Sequence, residues 1–192
     1  MAKINLYHGT MGSGKTLDLI RTVYNYREKG MRAYVYKPSI DTRDGVDDCI
    51  IRTRVGMELD AAWLSSDSVY WQLLEDNMNN KADVIIVDEA QFLSESQVND
   101  FQDFSITNNI PIIFYGLKVD FTGHLFEGTK RIIEIADVIT EVKGICHCGS
   151  IARQNARVVD GKIQKEGEVV VVGGNELYMP LCNKCFFEGR IK

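Results

Sequence analysis

The chain has 192 residues, 45% of them hydrophobic and 26% charged, with a formal net charge of −5 at pH 7. This length and apolar content allow one sizeable core with a small appendage, and the negative charge argues against nonspecific binding to nucleic acid. No apolar run approaches the roughly 20 residues of a membrane span, and the first residues lead into a strand-like segment without a signal sequence. We therefore expect a cytoplasmic protein that binds neither a membrane nor nucleic acid.

The first motif follows an apolar run at residues 4–7 and has the pattern G-x-x-x-x-G-K-[ST]. Its residues are Gly9, Thr10, Met11, Gly12, Ser13, Gly14, Lys15 and Thr16. Residues 17–24 then carry apolar side chains at helical spacing. A strand, a Gly-rich loop and a helix in this order predict a phosphate-binding loop, because backbone N–H groups and the helix N-terminus attract phosphate oxygens. In such a loop Lys15 reaches the β- and γ-phosphates of ATP and the Thr16 hydroxyl binds Mg²⁺. The alternative is an ordinary Gly-rich turn before a helix.

Strand-like and helix-like segments alternate through the first three quarters of the chain. Strands are predicted at residues 4–7, 33–36, 84–87, 111–115 and 138–142, and helices at 17–29, 69–77, 94–104 and 125–136. Ser94, with Gln97 three residues later, predicts a capping box. This alternation predicts an α/β fold of the P-loop NTPase type, with a parallel sheet and helices on both faces. Ligands of such sheets bind at the carboxyl ends of the strands.

Two acidic residues end the predicted strand 84–87. Asp88 stands where a Walker B carboxylate holds Mg²⁺ directly or through water, and Glu89 beside it is placed to polarise an attacking oxygen. Two solvated acids at a strand end are the alternative, which the upstream phosphate loop disfavours. The pair alone does not separate attack by water, as in an ATPase, from attack by a substrate hydroxyl, as in a kinase.

Four of the five cysteines form a C-x-C pair and a C-x-x-C pair, at Cys146, Cys148, Cys182 and Cys185. An odd total in a chain expected to be cytoplasmic does not fit a disulfide framework. Four thiolates make a closed tetrahedral Zn²⁺ site, which is structural because no position remains for water; unligated thiols are the alternative. His147 is interpreted as a bystander. We expect a nucleotide-binding domain at 1–143 and a zinc-binding lobe at 144–192, with no helix in the segment 146–185.

These motifs occur together in one known family. The segments GTMGSGKT, KPSIDTR, VIIVDEAQF, YGLKVDFTGHLF and GGNELYMPLC, with the paired cysteines, stand in the order seen in type II thymidine kinases, the cytosolic (animal thymidine kinase 1-like), bacterial and phage group. The resemblance covers residues 3–186. The C-x-C pair and the absence of a C-terminal regulatory tail resemble the bacterial and phage branch. Thr10 departs from the family pattern, since many members have proline there.

The resemblance implies transfer of the γ-phosphate of ATP to the 5′-hydroxyl of thymidine, and of deoxyuridine, giving the nucleoside monophosphate and ADP. It places the general base on Glu89 and the support of Mg²⁺ on Asp88, with Gln91 closing the same motif. The D-x-R of the family falls on Asp41 and Arg43, near the phosphates.

The resemblance also assigns the nucleoside site. The substrate aromatic falls on Phe121, with Phe126 nearby, although spacing alone favours a core role for both. The segment between the cysteine pairs resembles the lasso that folds over the nucleoside in the family, with its ends tied by zinc. The lasso assignment covers Val169, Val170, Val171, Val172, Gly173 and Tyr178. A homotetramer inhibited by dTTP is implied as well.

Two other functions share some of these motifs. A DEAQ sequence after a strand also resembles DNA-dependent ATPases and helicases, but these motors need two such domains and this length holds one. A zinc-ribbon binding module that uses ATP as a switch is the other alternative.

Overall fold

The computed structural model describes residues 2–41, 49–64, 68–167 and 177–191. The helices are α1 (Lys15–Glu28), α2 (Val69–Asn79), α3 (Glu95–Asn108), α4 (Glu127–Ile135) and α5 (Asn183–Phe187). The first eight strands are β1 (Ile4–His8), β2 (Ala33–Pro38), β3 (Ile50–Arg52), β4 (Glu58–Asp60), β5 (Ala62–Leu64), β6 (Val84–Val87), β7 (Ile112–Gly116) and β8 (Val138–Glu141). The remaining strands are β9 (Gly144–Ile145), β10 (Ile151–Ala152), β11 (Gln154–Val159), β12 (Lys162–Gln164) and β13 (Tyr178–Leu181).

Within the described residues the main sheet has six strands in the order β5-β2-β6-β7-β1-β8. Every neighbouring pair in it is parallel, so the carboxyl ends of the strands lie along one edge. This confirms the predicted α/β class with a parallel sheet. The edge strand β5 was not predicted, since three residues are too few to show a period.

Helices cover both faces of this sheet, as predicted. On β6, Ile85 and Val87 pack with α2, α3 and α4, whereas Val84 and Ile86 pack with α1 on the opposite face. A strand that is buried on both faces has apolar side chains at every position, which explains the continuous apolar sequence of β6. The short antiparallel hairpin β3–β4 covers part of the α1 face through Ile51.

Several element boundaries differ from the predicted ones for identifiable reasons. The capping box is confirmed, because the N–H of Gln97 donates to Ser94 Oγ while Ser94 N–H donates to Gln97 Oε1. The helix then runs one turn beyond the predicted end, to Asn108, and stops where Asn109 takes a left-handed conformation with φ +53°. Strand β2 continues through Pro38, since β5 pairs with its last three residues. None of the described helices has the length and hydropathy to cross a membrane.

The C-terminal residues form two small sheets, β9–β10 and β12–β11–β13, with the short helix α5. The expectation of no helix within residues 146–185 was wrong at its end, because α5 begins at Asn183. A single turn is too short to show a helical period, and here it is fixed at its start by Cys182, whose Sγ accepts the N–H of Cys185 at 3.4 Å. A separate core forms around Ala156, Leu181 and three of the cysteines.

Candidate active site and metal centre

A cavity of about 490 Å³ opens at the carboxyl edge of the main sheet. The phosphate-binding loop forms one wall, and residues that follow β2 and β6 form the floor. Residues 51–55 of the hairpin β3–β4 also line the cavity. The lining residues that matter for the chemistry are Gly12, Gly14, Lys15, Thr16, Asp41, Asp88 and Glu89. The structure therefore brings together the phosphate loop and the acidic pair, which are far apart in sequence.

The phosphate loop has the geometry of an anion site. The Lys15 ammonium is nearly buried and donates to the carbonyl oxygens of Gly9 and Thr10, at 3.1 and 3.0 Å. Gly14, with φ +93°, turns the chain into α1 and, as a glycine, provides no side-chain cap to that helix. Uncapped N–H groups beside a lysine attract phosphate oxygens. The residues present thus fit the phosphates of a nucleotide.

Asp88 is buried, whereas its neighbour Glu89 is partly buried and has a strained backbone. Burial, and after it the neighbouring Glu89 carboxylate, raise the pKa of Asp88 to about 7, while Lys15 and Lys37 act in the opposite direction. Glu89 has φ +49°, and its N–H donates to Asp88 Oδ1 at 3.0 Å. A left-handed conformation outside glycine costs about 1–2 kcal/mol, and such strain concentrates at functional sites. A carboxylate and the hydroxyl of Thr16 in one cavity are oxygen ligands that Mg²⁺ prefers.

Gln91 lies behind Glu89 and fixes its side chain. Its Nε2 donates to Glu89 Oε2 at 2.5 Å, and its Oε1 accepts the N–H of Leu117 at 2.9 Å. The side chain is buried, and it is not among the described residues that line the cavity. These contacts favour a role in orienting Glu89 over direct contact with a nucleotide.

Sequence reasoning missed Lys37, which lines the cavity at the carboxyl end of β2. Its side chain is 2% exposed, its Nζ lies 3.1 Å from Asp41 Oδ2, and it stands over the ring of Trp63 at 5.7 Å. A buried ion pair adds little net stability, so we interpret this one as a contact that holds the Lys37 and Asp41 side chains in place at the cavity. The sequence signal that could have identified Lys37 is its position at the start of the KPSIDTR segment, at the end of a predicted strand. Arg43 lies outside the described residues.

Asn155 was also missed, because no motif marks it. The residue lies on β11 in the C-terminal lobe and is 3% exposed. Its Oδ1 accepts the N–H of Met11 in the phosphate loop at 2.7 Å, and its Nδ2 donates to the Val119 carbonyl at 3.4 Å. Gly144 also packs against this loop, since a methyl group there would lie 2.5 Å from Thr10 Oγ1. The lobe therefore supports the phosphate loop directly.

Replacing Asn155 by alanine should weaken ATP binding. The Met11 N–H would lose its acceptor, and a buried unpaired donor costs roughly 1–3 kcal/mol. Isothermal titration with ATP would measure the change, expected at about 5- to 100-fold because 1.4 kcal/mol is a factor of ten. Gln154→Ala is the matched control, since this neighbour donates to Asn183 instead. Equal affinities in the two variants would contradict the supporting role of Asn155.

Three of the residues assigned to the nucleoside, Phe121, Phe126 and Tyr178, have described positions, and none of these three is among the described residues that line the cavity. Phe121 is 2% exposed, and the Arg157 guanidinium lies 5.4 Å from its ring centroid. Tyr178 pairs with Arg157 across β11 and β13, so both side chains are on one face. Phe126 is half-buried and stands edge-on to Phe92 at 6.1 Å. Residues 169–173 lie outside the described residues, so only Tyr178 of the assigned lasso has a described position.

The four paired cysteines form one cluster, as predicted. Their Sγ atoms all lie within 4.8 Å of one another, and Cys148 Sγ is 3.7 Å from Cys182 Sγ. Four sulfurs at about 2.3 Å from a tetrahedral Zn²⁺ are separated by about 3.8 Å, so the cluster could hold a metal ion. His147 is exposed, and its Nε2 is 3.3 Å from the Arg190 carbonyl oxygen rather than at the cluster.

In this parallel sheet, the Gly-rich loop after β1 leads into the N-terminus of α1, and two acidic residues follow β6, which lies two places from β1. This arrangement defines a P-loop nucleotide-binding protein. The family model described as Thymidine kinase matches residues 2–186 of the chain. The chain therefore belongs to the thymidine kinase family, as its motifs indicated.

Curated relatives extend this comparison over nearly the whole chain. A thymidine kinase of Zymomonas mobilis is 38% identical over 98% of this chain and 97% of its own length. A thymidine kinase of Shewanella oneidensis is 40% identical over 98% of both chains. One of Rhodopirellula baltica is 40% identical over 98% of this chain and 89% of its own.

Proposed function

We propose that this protein is an ATP-dependent thymidine kinase that phosphorylates the 5′-hydroxyl of thymidine, and of deoxyuridine, giving dTMP or dUMP and ADP. The observation that carries the proposal is the position of Glu89. Its carboxylate borders the same cavity as the phosphate loop and is oriented by Gln91. A fixed carboxylate facing a phosphate site suits a general base for phosphoryl transfer, and family membership supports the thymidine hydroxyl, rather than water, as the acceptor.

The phosphate loop binds and positions ATP. Phosphoryl transfer has a loose transition state, so catalysis rests mainly on alignment and on compensation of negative charge. On the protein side, Lys15, the N–H groups at the start of α1 and Arg43 provide this positive charge. Asp41, the acidic residue of the same D-x-R motif, lines the cavity near the phosphates. Thr16 and Asp88 are the residues that would hold Mg²⁺, which supplies further positive charge when bound.

Glu89 is the general base. It accepts the proton of the 5′-hydroxyl as the oxygen attacks the γ-phosphorus, and the hydrogen bond from Gln91 keeps its side chain in one orientation. Gln91 also accepts the N–H of Leu117, which precedes the segment that carries Phe121. The buried side-chain amide of Gln91 thereby connects the general base, Glu89, to the segment of the nucleoside site.

The nucleoside base is recognised largely by main-chain groups. Thymine offers two carbonyl acceptors and one N–H donor, which extended backbone complements, whereas four valines followed by a glycine offer no polar side chain. These residues are Val169, Val170, Val171, Val172 and Gly173. Tyr178 and the apolar walls at Phe121 and Phe126 complete the site. A cytosine donor facing a backbone donor would leave buried groups unpaired, at about 1–3 kcal/mol each.

The cysteine cluster holds a structural Zn²⁺ that ties the two ends of the lasso together. Four thiolates leave no open coordination position, so the metal stabilises the lobe and takes no part in the chemistry. Residues 1–143 act as the nucleotide-binding domain and residues 144–192 as the zinc-binding lobe. We further propose a cytoplasmic homotetramer that dTTP inhibits.

A panel of nucleosides with γ-³²P-labelled ATP tests the proposal. Labelled dTMP should form, and labelled dUMP should form from deoxyuridine, with little product from deoxycytidine or purine nucleosides. A reaction that contains DNA and no nucleoside is the control for the DNA-dependent ATPase or helicase alternative. Phosphate release that depends on DNA would instead support the ATPase alternative, and ATP binding without any transfer would support the switch module.

A further inference from the structure

The hairpin β3–β4 is fixed on the sheet rather than extended into solvent. Its strands pair Ile51 with Leu59, and Ile51 is 1% exposed in the core that α1 forms with the sheet. Leu59 packs against the same core. The free energy of burying these side chains holds the hairpin in one position beside the phosphate loop.

The tip of the hairpin has a defined shape. Thr53 N–H donates to the Met57 carbonyl at 2.8 Å, and Met57 N–H donates back to Thr53 Oγ1 at 2.9 Å. Gly56, with φ +81°, provides the left-handed residue that closes the turn. The position of Arg54 between these residues is therefore set by the backbone of the turn.

Arg54 reaches over the middle of the phosphate loop. A methyl group on Gly12 would lie 3.1 Å from Arg54 Nη2 and 3.2 Å from Nη1, so the guanidinium occupies the space next to the Gly12 backbone. Gly12 has φ +71°, which also disfavours any side chain there. Arg54 lines the same cavity as Lys15 and Asp88.

The charges of the cavity favour a role for this arginine. Lys37 is paired with Asp41 in the floor, and Lys15 stands at one side of the loop. A triphosphate carries several negative charges, and the planar fork of a guanidinium binds two phosphate oxygens at once. We propose that Arg54 binds the triphosphate of ATP from the hairpin, on the side of the phosphate loop that faces β3–β4. This inference rests on the proposed function.

Titration of ATP into the full-length protein without nucleoside tests this. Arg54→Ala should weaken ATP binding by roughly 10- to 100-fold, because it removes a charge-assisted hydrogen bond. Arg54→Lys should recover part of the loss, since lysine keeps the charge without the fork. Arg21→Ala is the control, since Arg21 is an exposed arginine of α1 that pairs with Asp18 and is not among the described residues that line the cavity. We expect this change to alter ATP affinity by less than about threefold.

The outcomes separate this inference from the function on which it rests. If wild-type protein binds no ATP, both are wrong. If wild-type protein binds ATP and Arg54→Ala binds it equally well, or no worse than Arg21→Ala, only the role of Arg54 is wrong. Unchanged thermal unfolding of Arg54→Ala would show that a weaker titration reports a lost contact rather than a lost fold.

Discussion

Replacement of Glu89 by glutamine should lower kcat by on the order of 10²- to 10⁴-fold and leave ATP binding intact. Glutamine keeps the length and shape of the side chain and can still accept the hydrogen bond from Gln91 Nε2. It cannot accept a proton. The loss should therefore appear in the chemical step, and a single-turnover measurement with saturating ATP and thymidine reports that step directly.

Two further variants make this result specific. Glu95→Gln changes the same functional group at an exposed position in the first turn of α3 and should leave kcat unchanged. Gln91→Leu should lower kcat by a smaller factor than Glu89→Gln, since the base remains but loses its orienting contact. Near-normal turnover in Glu89→Gln would contradict the assignment of Glu89 as the general base.

Replacement of Cys182 by serine should release the metal and destabilise the C-terminal lobe. Cys182 supplies one sulfur of the cluster and also begins α5, so its loss affects both. Loss of a structural metal typically costs a small domain much of its stability. Metal content measured by mass spectrometry should fall, thermal unfolding should begin earlier, and thymidine affinity should drop because the lasso ends are no longer joined.

ATP should still bind to this variant, but more weakly. The phosphate loop belongs to the main sheet, whereas its Met11 N–H is held by Asn155 from the lobe. Cys49→Ser is the matched control, a half-buried cysteine outside the cluster, and it should change neither metal content nor stability. Freshly purified wild-type protein without zinc would end the structural-zinc hypothesis.

The left-handed backbone conformation of Glu89 determines how the residues after β6 are positioned in the site. Residues that follow a buried strand have little freedom, and here the chain turns sharply through a left-handed residue into the turn Ala90–Phe92. The turn buries Gln91 where it can reach both Glu89 and Leu117. The cost of the strain is borne by packing elsewhere in the sheet, as is common at catalytic positions.

The sequence by itself determined the fold class and the family of the protein, and it marked the residues to which we assign its chemistry. The glycine spacing around Lys15, the acids after residues 84–87 and the cysteine pairs are local patterns, and each encodes a chemical function within a few residues. The parallel sheet followed from the alternation of buried strands with helices. Such signals are readable because they depend on neighbours along the chain.

Only the tertiary structure decided which residues support that chemistry. The order of the strands placed Asp41 and Lys37 beside Asp88, the hairpin brought Arg54 over Gly12, and the lobe brought Asn155 to Met11. These contacts join residues separated by tens to more than a hundred positions, so no local period or motif reveals them. Short elements such as β5 and α5 were missed for the same physical reason, since pairing with a distant partner or cap, rather than intrinsic propensity, stabilises them.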